Sequence, residues 1–197
     1  MTLPAKIFGL VLSGGKSTRM GQDKGLISYH GTPQREHLYH LLAGLCERTF
    51  MSIRKNQVSE LTTDYQFIVD TDAYKGPYNG LLSAYKAYPD AAWLVLACDL
   101  PLMDTSAISH LIVNRDSHKM ATAFASVADP LPEPLCAIWE PEAMRSSLSF
   151  LEKGNGTCPR KFLIQNNVAL VFPERPEVLL NANSTADYDA ALLKIKQ

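Results

Sequence analysis

A continuous apolar run, Trp93-Leu94-Val95-Leu96-Ala97, is followed at once by Cys98-Asp99-Leu100-Pro101. Five apolar residues in a row leave no polar face, so this strand must be covered on both sides, as strands of a parallel sheet are. Parallel neighbours need crossovers, and the flanking sequence supplies them. Residues 6–12, Thr49 to Ile53 and Phe67 to Val69 read as strands before the run. Met120 to Val127, Leu135 to Trp139 and Val168 to Phe172 read as strands after it. Between them, Thr32 and Pro33 open a helix carrying Leu38, Leu41, Leu42 and Leu45 at helical spacing. Leu81 to Tyr88 reads as a second helix. Asp104 or Thr105 caps a third with Ile108, Leu111 and Ile112. Glu142 to Lys153 is a fourth ending at Gly154, and Thr185 caps a last one with Tyr188, Leu192 and Ile195. This alternation predicts an α/β fold with a mostly parallel central sheet. We expect one domain over residues 1–197, with Asp129 to Pro134 as a surface loop.

In such a sheet, ligands bind beyond the carboxyl ends of the strands, and polar residues gather there. The first strand runs into "LSGGKSTRMGQDK", residues 12 to 24. A P-loop needs glycine six positions before its lysine, but Leu10 stands six before Lys16. The dinucleotide fingerprint also fails, because Gly14 and Gly15 are adjacent and position 16 is lysine. The underlying chemistry survives: glycines let backbone N–H groups close on an anion, and Lys16, Arg19 and Lys24 can neutralise it. The alternative is a surface turn with solvated charges.

Asp99 follows a buried strand, where a carboxylate is costly unless paired or bound to metal. One or two carboxylates suffice for Mg²⁺ when phosphates supply further ligands; a turn or cap role is the alternative. Asp70 and Asp72, at the third strand's exit, suit base or ribose contacts or turn chemistry. Gly76-Pro77 and Gly80 lead into a helix whose N-terminus suits an anion, or serve the turn alone.

Several classes are excluded or disfavoured. The net charge of −1 gives no general basic field for nucleic acid. Cys46, Cys98, Cys136 and Cys158 form no C-x-x-C pair, and the five histidines show no metal-ligand spacing. No nucleophile elbow appears, so the chemistry should need no covalent enzyme intermediate. Neither a membrane span nor a signal-peptide core is evident, and cysteine usage fits a reduced cytoplasmic compartment.

The chain resembles the nucleotidyltransferase family that makes molybdenum cofactor dinucleotides. The resemblance rests on L-x-G-G-x-x-x-R-M-G with a following D-K, on Gly76-Pro77-Tyr78-Asn79-Gly80, on Cys98-Asp99-Leu100-Pro101, and on Asn181-Ala182-Asn183-Ser184, in that order along nearly the whole chain. The segment Pro134 to Trp139 also looks like the family's. It implies a single Rossmann-like three-layer domain of the nucleotide-diphospho-sugar transferase type. It implies transfer of GMP from GTP to the phosphate of molybdopterin, with Mg²⁺ and release of pyrophosphate. Leu12, Ser13, Gly14 and Gly15 would bind the nucleotide. Arg19 would meet the β- and γ-phosphates, and Lys24 would bridge phosphates or reach the base. Asp99 would hold Mg²⁺. Asn181 and Asn183, with Arg160 or Lys161, would face the pterin. Implied partners are GTP, molybdopterin, other cofactor-biosynthesis proteins and the recipient molybdoenzyme. Two departures stand out: Ser13 replaces the usual alanine, and the second strand's exit reads "SIRKNQ", where Arg54 or Asn56 would take the base-recognition role. The paired glycines favour guanine over cytosine. The rival readings are a nucleotidyltransferase using CTP or a sugar or alditol phosphate, and a nucleotide-binding regulator.

Overall fold

The computed structural model describes residues 3–15, 23–61 and 64–195. Seven strands form one sheet: β1 (Ile7–Leu12), β2 (Arg48–Ile53), β3 (Phe67–Val69), β4 (Ala92–Ala97), β5 (Ala121–Phe124), β6 (Cys136–Trp139) and β7 (Val168–Val171). Their order is β3-β2-β1-β4-β6-β5-β7. All neighbouring pairs are parallel except those of β6, which runs against both β4 and β5. Six α-helices complete the described fold: α1 (Gln34–Ala43), α2 (Tyr78–Ala87), α3 (Thr105–Val113), α4 (Pro141–Glu152), α5 (Pro159–Ile164) and α6 (Thr185–Ile195).

The apolar run is β4, and its alternation divides the core. Leu94 and Leu96 pack with Val11, Met51 and Ile138 against Leu38 and Leu42 of α1 and Ile108 and Leu111 of α3. Trp93 and Val95 pack with Leu10 and Phe50 against Leu81 and Leu82 of α2, Met144 of α4 and Phe162 of α5. The sheet is therefore the middle of three layers, and every residue of β4 is buried. Ala191 of α6 packs separately with Ile27, Tyr29 and Ala182.

Some boundaries differ from expectation. Pro33, not Thr32, is the N-cap of α1, with no side-chain cap; the entry is held by Gln34 N–H donating to Ile27 O at 2.9 Å. The last helix is capped by Ser184, not Thr185: Ser184 Oγ accepts from Asp187 N–H while the Asp187 carboxylate accepts from Ser184 N–H, a reciprocal capping box. α2 begins at Tyr78, three residues before the expected start, and β5 ends at Phe124 rather than Val127. The segment Asp129 to Pro134 is only half a surface loop. Pro132 and Pro134 are buried, and Trp139 Nε1–H donates to Pro134 O at 2.9 Å. The short helix α5 was not expected.

Strand order reverses between β1 and β4, because β2 and β3 continue to one side and β6, β5 and β7 to the other. That is the switch point at which open α/β sheets bind ligands.

Candidate active site

A cleft of about 710 Å³ opens at this switch point. The exits of four strands build it: Leu12 to Gly15 after β1, Ser52 and Arg54 from β2, Asp70 and Asp72 after β3, and Ala97 to Asp99 from β4. Asp23, Lys24 and Gly25 close one side, Tyr74 to Pro77 with Asn79 and Gly80 another, and Asn183 reaches in from ahead of α6. Most of the sequence-predicted residues thus meet in one space. Four do not line it. Arg160 is paired with Glu133, Lys161 Nζ donates to Asn155 O at 3.0 Å, Asn56 is exposed, and Asn181 is exposed with its amide donating to Leu179 O at 3.3 Å. Arg19 and Lys16 lie outside the described residues.

Close approach explains two glycines. A Cβ at Gly14 would collide with the Asp70 carboxylate, so the loop can lie against Asp70 only without a side chain there. A Cβ on Gly80 would collide with Ser52 Oγ and stand 2.6 Å from Leu12 Cδ2, so α2 can start flush against the ends of β1 and β2. Gly76, at φ 63°, turns the chain into that helix.

Asp70 is buried and accepts from Ser52 Oγ–H at 2.6 Å. Burial raises its pKa above the ordinary carboxylate value, and the neighbouring Asp72 adds to the rise; the Ser52 hydrogen bond and Arg54 oppose it. Asp72 has a left-handed backbone, φ 54°, and accepts from Asn79 Nδ2–H at 3.2 Å. Opposite them, Lys24 Nζ donates to Asp99 Oδ2 at 3.3 Å and to Asn183 Oδ1. The turn behind Asp99 is held at three successive carbonyls. Ala182 N–H donates to Asp99 O at 2.8 Å, Gln34 Nε2–H to Leu100 O at 3.1 Å, and His30 Nε2–H to Pro101 O at 2.8 Å.

Sequence reasoning missed Asp23, Ser52 and Gln57. Asp23 Oδ1 accepts from Gly25 N–H at 2.9 Å and so caps the 3-10 turn Lys24–Leu26 that carries Lys24. Its position beside Lys24 in the D-K pair was the available signal.

The carboxylates that line the cleft could hold a divalent cation. Among the described residues no three histidine, cysteine, aspartate or glutamate side chains converge on a point, which disfavours a protein-built zinc or calcium cage. Asp99 offers one carboxylate at a strand end. That suits Mg²⁺, which keeps waters and takes substrate phosphate oxygens. Among the described lining residues, Asp23, Asp70, Asp72 and Asp99 stand beside Lys24, Arg54 and Lys75. Cys98 lines the cleft, but its thiol is pushed up to about 12 by burial and by the Asp99 and Asp23 charges. It stays protonated and is no nucleophile at neutral pH.

A family model described as a MobA-like NTP transferase domain matches residues 9–169. The chain belongs to this family. It is 36% identical over 187 residues to a molybdenum cofactor biosynthesis bifunctional protein of Synechocystis, covering 92% of this chain and 52% of that one, so it spans about half of that relative's length. It is 24% identical over 184 residues, 92% of each chain, to a molybdenum cofactor guanylyltransferase of Shewanella halifaxensis. Its fold is that of molybdopterin-guanine dinucleotide biosynthesis protein A from Archaeoglobus fulgidus, with a TM-score of 0.79, 20% identity, and 96% and 98% of the two chains covered. The matched MobA-like segment contains every described cleft residue except Asn183.

Proposed function

We propose that this chain is a guanylyltransferase: it transfers the GMP of GTP to the phosphate of molybdopterin, forms the guanine dinucleotide cofactor and releases pyrophosphate. The observation that carries the reading is the Asp70–Gly14 contact at one end of the cleft and the Lys24–Asp99 pair at the other. Together they provide a base end and a phosphate end on either side of the β1 loop. Two guanylyltransferase features follow. Guanine presents two adjacent donors, its N1–H and exocyclic amine, and a carboxylate accepts from both. Asp70, partly satisfied by Ser52, would take that edge. The β1 loop would lie along the nucleotide, and Gly15, exposed, leaves room for phosphate.

The acceptor phosphate oxygen attacks the α-phosphorus, the bond to the bridging oxygen breaks, and pyrophosphate carries the electron pair away. The attacking oxygen is already anionic, so no general base is required. No histidine lines the described cleft. Lys24 leaves Asp99 for the phosphates and stabilises charge that moves onto pyrophosphate. Asn183 orients the acceptor beside Lys24. Asp99 would hold Mg²⁺, which when bound polarises phosphorus and shields the two anions from one another.

The test is pyrophosphate release from each of the four nucleoside triphosphates with molybdopterin and MgCl₂. GTP alone should support turnover. A larger rate with CTP would move the chain to cytidylyl transfer, and tight GTP binding with no release would make it a nucleotide-binding regulator.

A further inference from the structure

Gln57 lies in the 3-10 turn Lys55–Glu60 after β2, does not line the cleft, and is 1% exposed. Its carboxamide is fully used. Nε2 donates to Ser13 O at 3.2 Å and to Asp23 Oδ2 at 2.7 Å. Oε1 accepts from Arg54 N–H at 2.8 Å and from Arg54 Nε–H at 3.4 Å. An amide has two donors and two acceptor lone pairs, and all four are engaged here. The three residues it joins are far apart in sequence, and all line the cleft. Each stands on a different wall: the β1 loop, the turn before Lys24, and the exit of β2.

We infer that Gln57 is a positioning residue of the nucleotide site. It sets the spacing between the β1 loop and Arg54, and through Asp23 it fixes the turn that presents Lys24. A methionine of similar shape would fill the space but leave Ser13 O and Arg54 N–H without their partner. A glutamate would be worse in a diagnostic way. It would place a second carboxylate against Asp23, and two carboxylates in contact cannot both stay ionised cheaply. Among the described residues Arg54, 3.6 Å from Asp23, offsets them; the neighbouring cation Arg35 is itself paired with Glu60 at 3.5 Å. Toward acid pH the pair would hold one proton and regain an O–H···O⁻ bond in place of the lost N–H donor.

The inference uses the guanylyl-transfer reading only to choose the nucleotide. The experiment is calorimetric titration of the full chain with GTP and MgCl₂ at pH 7.5 and pH 5.5, for the wild type, Gln57→Met, Gln57→Glu and the surface control Ser59→Ala. At pH 7.5 both Gln57 variants should bind about tenfold more weakly or worse, a scale set by losing hydrogen bonds to buried partners. Gln57→Glu should recover several-fold at pH 5.5 relative to the wild type, and Gln57→Met should not. Ser59→Ala should match the wild type. Wild-type affinity in Gln57→Glu at pH 7.5, or the same loss at both pH values, overturns the positioning role. If the variants do not fold, nitrogen-15 NMR of the wild type decides. The Gln57 side-chain amide protons should exchange slowly and shift when GTP is added; rapid exchange and no shift overturn the role. If the wild type binds another triphosphate instead of GTP, the functional reading fails, and the same series with that nucleotide still tests Gln57.

Discussion

Lys24 Nζ stands 3.3 Å from Asp99 Oδ2, and the two side chains are 20% and 24% exposed. A pair so placed contributes no more than about 1 kcal/mol to stability. In the proposed reaction its importance is positional: each group would neutralise the other until a nucleotide and its cation separate them. Asp99→Asn keeps the shape and removes the charge. We expect turnover to fall on the order of 10²-fold, by analogy with losing one preorganised electrostatic group. The melting temperature should stay close to that of the wild type. Pyrophosphate release and thermal unfolding on the same sample check both. Lost stability with normal turnover at saturating MgCl₂ would make Asp99 a turn residue.

A contrasting pair lies away from the cleft. Arg115 grips Glu140 through two hydrogen bonds of 2.7 Å and donates to Ala5 O at 2.8 Å, and Glu140 is buried. Removing one member of such a pair leaves an uncompensated buried charge. Arg115→Met should therefore destabilise the protein by about 3 kcal/mol or more. Turnover per folded molecule should be unchanged at a temperature where the variant is folded. Urea unfolding followed by a rate measurement decides; a specific loss of turnover would tie Arg115 to the chemistry.

These two pairs show what the sequence could and could not disclose. β4 and Asp99 were legible because five apolar residues need a two-sided cover and a carboxylate after them needs a reason. The Gly14 loop was legible from its paired glycines. Arg160 read as a cation available to the pterin, but Glu133, in what looked like an open loop, takes it. Gln57 sits in "KNQVSE", which reads as a polar surface turn; its burial depends on where β1 and the Asp23 turn lie in three dimensions. The antiparallel β6 had no local signal, since four apolar residues fit a strand of either direction. Short polar turns are given meaning by tertiary contacts, whereas long apolar strands constrain those contacts in advance.

His37 gives the stability curve an acid limb. Its ring stacks on His30 at 3.8 Å, and its pKa is lowered to about 4 by burial, with His30 and His40 adding to the effect. The unfolded chain binds this proton near the ordinary value of about 6.5. Between those two values the unfolded state holds more protons, so stability rises with pH there and is lost as pH falls from about 6.5 toward 4. After screening at this partly exposed site the contribution is of order 1 kcal/mol. His37→Gln should shallow the slope of unfolding free energy over that interval and leave it unchanged above pH 7. Urea titrations at half-unit steps measure it; identical slopes in the two proteins would refute the assignment.

Asp70 should show stability and function pulling in opposite directions. Burial keeps its pKa above the ordinary value, so at neutral pH its ionised form is held at a cost to the fold. A raised carboxyl pKa means that the native state binds its proton more tightly than the unfolded chain does, so this group weakens the fold as pH rises past its unfolded value. Asp70→Asn removes that cost and keeps an oxygen for Ser52 Oγ–H. The variant should melt at or above the wild-type temperature at pH 7.5 in the absence of nucleotide. Its other terminus, however, becomes an amide donor. In the guanine reading, that donor meets the N1–H and amine of the base, so two attractive hydrogen bonds give way to an opposed pair of donors. GTP affinity should fall about 10²-fold, the scale set when a site built to pair with a polar edge is mismatched. The preference over ATP should shrink with it, because adenine presents a lone pair at N1. Melting curves without nucleotide, followed by titrations with GTP and ATP, read the two effects separately. A stabilised variant that still selects GTP would move guanine recognition away from Asp70 and toward Arg54 or the β1 loop.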